Sequence, residues 1–152
     1  MRKSNVVIIT GAAGGIGQAT AHAFAAEGYG LALSDLNENA LTQLASELTN
    51  QYAVECLPLV GDLADSTYLQ AIVSKTVAQW GRIDVLVNNA AWRTLESLRT
   101  LSLADWERTL KVCLTAPAFL TKWVAEVMET NGNPGVIINV TSMMAQRPSG
   151  MG

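Results

Sequence analysis

Thr10-Gly11-Ala12-Ala13-Gly14-Gly15-Ile16-Gly17 lies where an apolar run stops and a helical pattern starts. Ahead of it, Asn5, Val6, Val7, Ile8 and Ile9 form a short run rich in β-branched residues, the pattern of a parallel strand buried on both faces. Behind it, Ile16, Ala19, Ala23 and Phe24 recur at helical spacing, which predicts an amphipathic helix opening on the glycines. Strand, glycine turn, helix is the corner on which nucleotide phosphates rest in α/β folds. The glycines have separable reasons: Gly11 for a tight turn, Gly15 for close backbone approach to a pyrophosphate, Gly17 for close packing of helix on strand. Unpaired N–H groups at the helix start, with the positive end of its dipole, favour such an anion without any lysine. No Gly-Lys-Ser/Thr follows, which argues against a P-loop. Taken alone, the same glycines also describe an ordinary flexible turn.

A chain of 152 residues, 49% of them hydrophobic, is long enough to bury roughly 68–70% of its unfolded surface in one domain. A single domain over 1–152 is therefore expected. The net charge of −3 and the lack of a basic block exclude nucleic acid as a partner class. The longest apolar runs fall short of the roughly 18–20 residues that a bilayer span needs, so no membrane partner is expected. Met1-Arg2-Lys3-Ser4 leads directly into the first strand rather than into a secretory signal, which fits a cytoplasmic, enzyme-like domain. Cys56 and Cys113 lie far apart, and with His22 as the only histidine they offer neither a disulfide framework nor a zinc cluster. No metal is expected.

Along the chain, Gly28 and Gly30 close the first helix, and Leu31, Ala32 and Leu33 lead into Asp35 as a second strand ends. Asp35 falls 18 positions after Gly17, close to the distance at which an acidic residue accepts hydrogen bonds from the adenosine ribose. A 2′-phosphate there would be repelled by about 4 kcal/mol per unit charge at 4 Å and an effective dielectric near 20. Positions 31–40 and the glycine loop hold no Arg or Lys to offset this, which favours NAD over NADP. Asp35 also suits a plainer role, starting the turn and capping the next helix.

Leu41, Leu44, Ala45 and Leu48 mark a second helix, Ala53 to Val60 a third strand, and Gly61-Asp62-Leu63-Ala64-Asp65 a turn. Leu69, Ile72, Val73, Val77 and Trp80 give the next helix one apolar face, and Ile83 to Val87 reads as strand four. Its end, Asn88-Asn89-Ala90-Ala91, puts amides and small residues at the carboxyl edge of the sheet, where ligands bind in doubly wound folds; an Asn-rich turn has the same composition. Trp92 and Arg93 follow at a position suited to meet substrate. Ser102 with Asp105 forms a capping-box pattern that opens a helix through about Met128, with Leu103, Trp106, Leu110, Val124 and Met128 on one side. Pro117 is expected to kink it or break its hydrogen-bond ladder. Val136 to Val140 reads as a fifth buried strand, followed by Thr141-Ser142. With right-handed crossovers, the expected fold is a Rossmann-type doubly wound parallel sheet in the order 3-2-1-4-5.

Together these residues resemble the short-chain dehydrogenase/reductase family over essentially the whole chain. The family's TGxxxGxG loop is matched by Thr10 to Gly17, its ribose-binding acid by Asp35, its adenine-contacting acid by Asp62 beside Leu63, and its catalytic serine by Ser142. Its Asn-Asn-Ala-Gly stretch is matched by Asn88-Asn89-Ala90-Ala91, with alanine for the last glycine. The resemblance implies hydride transfer between NAD(H) and a small alcohol or carbonyl substrate. In its terms Gly11, Gly15, Ile16, Gly17, Asp35, Asp62, Leu63, Asn89 and Ala90 bind coenzyme, and Ser142 hydrogen-bonds the reacting oxygen. It also implies a homo-oligomer, dimer or tetramer, assembled through the helix at 102–128.

Two departures qualify this. The family's Tyr-x-x-x-Lys would begin about a dozen positions after the serine and is not found before Gly152; the tyrosines are Tyr29, Tyr52 and Tyr68. The catalytic Tyr and Lys are therefore expected beyond Gly152, with this chain the amino-terminal part of a longer reductase and inactive alone. A strand-five edge left bare would also be prone to pair with other chains. Secondly, Cys113 stands where the family places an asparagine that helps hold a relay water, and a thiol lacks the amide's donor and acceptor pair; a small buried hydrophobe is the expected role for Cys113. The alternatives are a dinucleotide-binding or assembly module without turnover, and a Rossmann-like domain for another adenine nucleotide such as a methyl donor.

Overall fold

The computed structural model describes residues 4–142. Met143, Met144 and Arg147, which follow Ser142 in the sequence, lie outside that range. Strands β1 (Val6–Thr10), β2 (Gly30–Asp35), β3 (Cys56–Val60), β4 (Val85–Asn88) and β5 (Val136–Asn139) form one sheet in the order β3-β2-β1-β4-β5. Every pair is parallel, and Ile8 of β1 sits opposite Ala32 of β2 and Leu86 of β4. The expected strand order is therefore the observed one, with β3 and β4 starting later in the chain than the apolar runs suggest.

Alternation along the central strands feeds two cores. Val7, Ile9, Leu31, Leu33, Val85 and Val87 face one side, which is covered by α1 (Gly15–Ala26) and α2 (Glu38–Tyr52). Ile8, Ala32 and Leu86 face the other side, covered by α3 (Ser66–Trp80) and α5 (Ala116–Thr130), while α4 (Leu103–Leu110) buries none of its residues. Because both faces are dry, the strands read as continuous apolar runs rather than alternating ones.

Helix α1 turns a different face to the sheet from the one its pattern predicts. Gly17, Ala21 and Ala25 are buried, whereas Ile16 is 63% exposed. Small residues one turn apart let the helix approach closely, and Ile16 is left to the cleft described below. Helices α2 and α3 begin at side-chain caps: Asn37 accepts from the Ala40 N–H and Asp65 from the Thr67 N–H. Asp35 is thus not the cap of α2.

The predicted long helix is split. A π-helical turn, Lys111–Thr115, separates α4 from α5 while the backbone stays helical through it. The Ala116 N–H bonds Lys111 O, and Pro117, with no N–H, cannot make the next bond, so the ladder is interrupted there as expected. The capping box holds: Ser102 Oγ accepts from the Asp105 N–H at 3.1 Å and donates to Asp105 Oδ2 at 2.6 Å. The expected apolar face does not. Val112, Ala116, Leu120, Val124 and Met128 are buried, while Leu103, Trp106 and Leu110 are exposed. The π turn rotates the helix between the two sets, leaving α4 with an outward apolar side.

The two sheet edges differ. In β3, the Gly61 N–H donates to Asp35 O and Glu55 O accepts from Leu31, so odd residues bond β2 and the nitrogen of Pro58 faces the free edge. On the far side β5 is not the buried strand expected. Val136, Ile138 and Val140 are exposed and only Ile137 packs against the core, because no further strand or helix covers them among the described residues.

At the amino end of the sheet, Asp84 is buried and joins three segments. Its Oδ2 accepts from the Val6 N–H at 2.8 Å and from Arg82 Nε at 2.9 Å, and its Oδ1 accepts from Asn133 Nδ2 at 2.6 Å and from Arg82 Nη2 at 2.5 Å. Burial alone would raise its pKa, but these hydrogen bonds and the Arg82 charge hold it below the usual value.

Candidate functional site

The carboxyl ends of β1, β2, β3 and β4 open onto one cleft of about 390 Å³. Gly11, Gly15, Ile16 and Gly17 come from the β1–α1 corner, Asp35 from the end of β2, Asp62 and Leu63 from the turn after β3, and Asn89 and Ala90 from the end of β4. All nine residues that the sequence assigns to the coenzyme line it. Ser142 does not; it follows β5 at the same edge of the sheet.

The glycines fit a pyrophosphate for reasons visible atom by atom. Gly11 has φ +63°, and a Cβ there would lie 2.8 Å from Ala90 Cα. A Cβ on Gly17 would overlap the carbonyl oxygen of Gly11 and lie 2.8 Å from Ala12 Cα. Gly17 thus serves the packing of α1 on its own loop rather than on the strand. A Cβ on Gly15 would meet nothing within 4 Å, so the space beside it is open to the cleft. Helix α1 starts at Gly14 without a side-chain cap, and its first-turn N–H groups and dipole favour an anion at that place.

Asp35 is fixed at the rim. Its Oδ2 accepts from the Ala13 N–H at 2.9 Å and its Oδ1 from the Asn37 N–H at 3.0 Å. Beside it, Ser34 Oγ is 2.9 Å from the Tyr68 hydroxyl, which also donates to Leu59 O at 2.5 Å. Burial, and the charge of Asp35, raise the Tyr68 pKa despite the Ser34 bond. Tyr68 therefore braces the floor of the cleft as a neutral phenol.

The two asparagines after β4 divide the work. Asn89 Nδ2 donates to Thr10 O and Gly11 O at 3.0 and 3.1 Å, locking the loop from below. Asn88 is buried and reaches β5 instead, donating to Asn139 Oδ1 at 2.9 Å.

Sequence reasoning missed Arg108. It comes from α4, 46 positions away from Asp62, yet its Nη2 donates to Asp62 Oδ2 at 2.9 Å, and its guanidinium carbon lies 4.3 Å from the centroid of the Trp92 ring. Only the rotation of α4 after the capping box brings it to the cleft, and no local pattern encodes that. Trp92 itself lines the cleft as anticipated, whereas Arg93 is exposed and does not. Burial would raise the Asp62 pKa, but the Ala64 N–H, the Arg108 hydrogen bond and its charge outweigh this and lower it. Cys113 is exposed rather than buried, and its Sγ accepts from the Trp92 N–H at 3.3 Å and donates to Trp92 O at 3.4 Å. A thiol here takes up both backbone polar groups of one residue.

Among the described residues no group of three or more His, Cys, Asp or Glu side chains is placed to hold a metal ion, and no helix is long and apolar enough to cross a membrane.

A family model described as short chain dehydrogenase matches residues 5–152. The chain is similar to the D-threitol dehydrogenase of Mycolicibacterium smegmatis, with 36% identity over 140 residues that cover 92% of this chain and 53% of that protein. Its fold is similar to that of the L-sorbose reductase from Gluconobacter frateurii complexed with NADPH and L-sorbose, with a TM-score of 0.90, 29% identity and coverage of 96% of this chain and 55% of that one. It is likewise similar to an NAD+-bound xylitol dehydrogenase, with a TM-score of 0.87, 30% identity and coverage of 97% and 57%. The chain spans about half the length of most of the curated relatives it matches.

Proposed function

The chain belongs to the short chain dehydrogenase family, and from that premise we propose that it carries the coenzyme-binding part of an NAD(H)-dependent oxidoreductase acting on a small alcohol or carbonyl substrate. The observation that carries the choice of NAD is the Asp35 carboxylate, held by the Ala13 and Asn37 N–H groups at the rim of the cleft. In that place it accepts from the hydroxyls of an unphosphorylated ribose and repels a 2′-phosphate. The solved relatives hold NADPH in one case and NAD+ in another, so kinship alone does not choose between them.

When bound, a nicotinamide coenzyme supplies the hydride donor or acceptor. The chain's own residues orient it: the amides of the glycine turn face the pyrophosphate, Asp62 and Leu63 face the adenine, and Asn89 and Ala90 form the wall toward the nicotinamide. Ser142 donates a hydrogen bond to the reacting oxygen and stabilises charge that develops there. Polyol relatives such as the D-threitol dehydrogenase support a small hydroxylated substrate. The outward apolar side of α4 suits the self-association that the family resemblance implies.

Residues 1–152 contain no Tyr-x-x-x-Lys, so this stretch taken by itself is also read as a dinucleotide-binding module without turnover. Calorimetric titration tests both coenzymes. NAD is expected to bind at least about tenfold more tightly than NADP, and Asp35→Ser is expected to narrow that gap. Tighter binding of NADP would overturn the role of Asp35, and uptake of neither coenzyme would overturn the whole reading. Turnover of a panel of sugar alcohols by this stretch alone would overturn the module.

A further inference from the structure

We propose that Arg108 is a positioning residue for the adenine end of the cleft: braced on the face of Trp92, its guanidinium fixes the Asp62 carboxylate where the base is read. The inference rests on the coenzyme reading above. Three observations carry it. Arg108 makes contact with both sides of the cleft at once, the turn after β3 through Asp62 and the segment after β4 through Trp92. The Asp62 carboxylate is fully oriented, with Oδ1 accepting from the Ala64 N–H at 2.9 Å and Oδ2 from Arg108. Trp92, the brace, is itself clipped at N–H and C=O to Cys113 in the π-helical turn.

The guanidinium is not part of a wider polar web. Arg108 Nε and Trp92 Nε1 are both buried with no hydrogen-bond partner among the described residues, so stacking and the single contact with Asp62 hold the group in place. Side chains exposed by 31% and 35% make an ion pair that contributes little to folding. Its effect is on where the carboxylate sits. Charge acts in the same sense: among the described residues lining the cleft, Asp35 and Asp62 are carboxylates and Arg108 is the one cation. Without Arg108 an anionic coenzyme would meet two uncompensated carboxylates. Lysine cannot replace it fully, because an ammonium does not lie flat on an indole while reaching a carboxylate.

The test is calorimetric titration of NAD into the wild-type chain and into Arg108→Met, Arg108→Lys, Asp62→Asn and the Arg108→Met/Asp62→Asn pair. Arg108→Met is expected to bind about tenfold more weakly at an unchanged melting temperature, and Arg108→Lys to recover only part of the loss. In the Asp62→Asn background, Arg108→Met is expected to add less than about twofold, since it acts through the carboxylate already removed. Wild-type affinity in Arg108→Met, full recovery in Arg108→Lys, or losses that simply multiply in the pair would each overturn the proposal. Should Arg108→Met fail to fold, the lysine variant carries the same decision. No uptake of NAD by the wild-type chain would instead overturn the coenzyme reading, and this inference with it.

Discussion

Gly17→Ala is expected to destabilise the chain by about 3 kcal/mol, the upper range for forcing a methyl group into filled space, and to abolish coenzyme uptake. The added Cβ would overlap Gly11 O and crowd Ala12, and neither can retreat. Gly11 carries the positive φ of the turn and lies against Ala90, while the Ala12 N–H is bonded to Ser34 O at 3.0 Å. Relief requires α1 to lift from the sheet, which would unseat Ala21 and Ala25 from the core. Gly15→Ala provides the contrast. Its Cβ meets no protein atom, and in a helix Ala is favoured over Gly by roughly 0.5–1 kcal/mol, so stability is expected to hold or rise. The methyl group nevertheless enters the space for the pyrophosphate, and NAD binding is expected to fall by about tenfold or more. Urea unfolding with calorimetry separates the two. A stable Gly17→Ala chain, or a Gly15→Ala chain with wild-type affinity, would contradict the atomic reasons given for these glycines.

The second large effect lies at the opposite end of the sheet. Asp84→Ala is expected to cost about 2–3 kcal/mol, the range for leaving buried hydrogen-bond donors without their acceptor. It strands the Val6 N–H and Asn133 Nδ2 together, while the partly exposed Arg82 keeps Asn5 and Asn133 as acceptors. The pH dependence follows from the lowered pKa of Asp84. A group whose folded value lies below its unfolded one contributes fully above the unfolded pKa, and that contribution is lost as the pH falls through the folded value. The wild type is therefore expected to exceed Asp84→Ala by the full margin at neutral pH, with the gap narrowing as the pH drops below about 4. Denaturant midpoints measured at several pH values check this; a gap constant down to acid would rule out the carboxylate as its source.

These sites differ in how far the sequence discloses them. Loop, strand and acid at Thr10–Gly17, Asp35, Asp62 and Asn89 are encoded within a few residues of where they act, and a continuous apolar run identifies a strand buried on two faces. Asp84 gives no such sign, since its partners lie in three separate segments. Periodicity reports that a helix has an apolar face, not what that face meets. Hence the pattern places Ile16 on the buried face of α1 where Gly17, Ala21 and Ala25 pack instead, and Leu103, Trp106 and Leu110 on an interior face that the π turn rotates outward. Arg108 reads as an ordinary exposed helix residue until the fold sets it on Trp92, and the exposure of Cys113 depends on the same turn. Apolar composition says nothing about whether a neighbour covers a strand, so β5 reads as buried while Val136 and Ile138 are exposed.

The contrast between Pro58 on β3 and the bare Val136, Ile138 and Val140 of β5 makes the sheet a one-sided template. A main chain approaching β3 finds a donor missing at the centre of that edge, whereas the outer edge of β5 meets no partner strand among the described residues and lies beside exposed Val136, Ile138 and Val140. Recruitment is therefore directional.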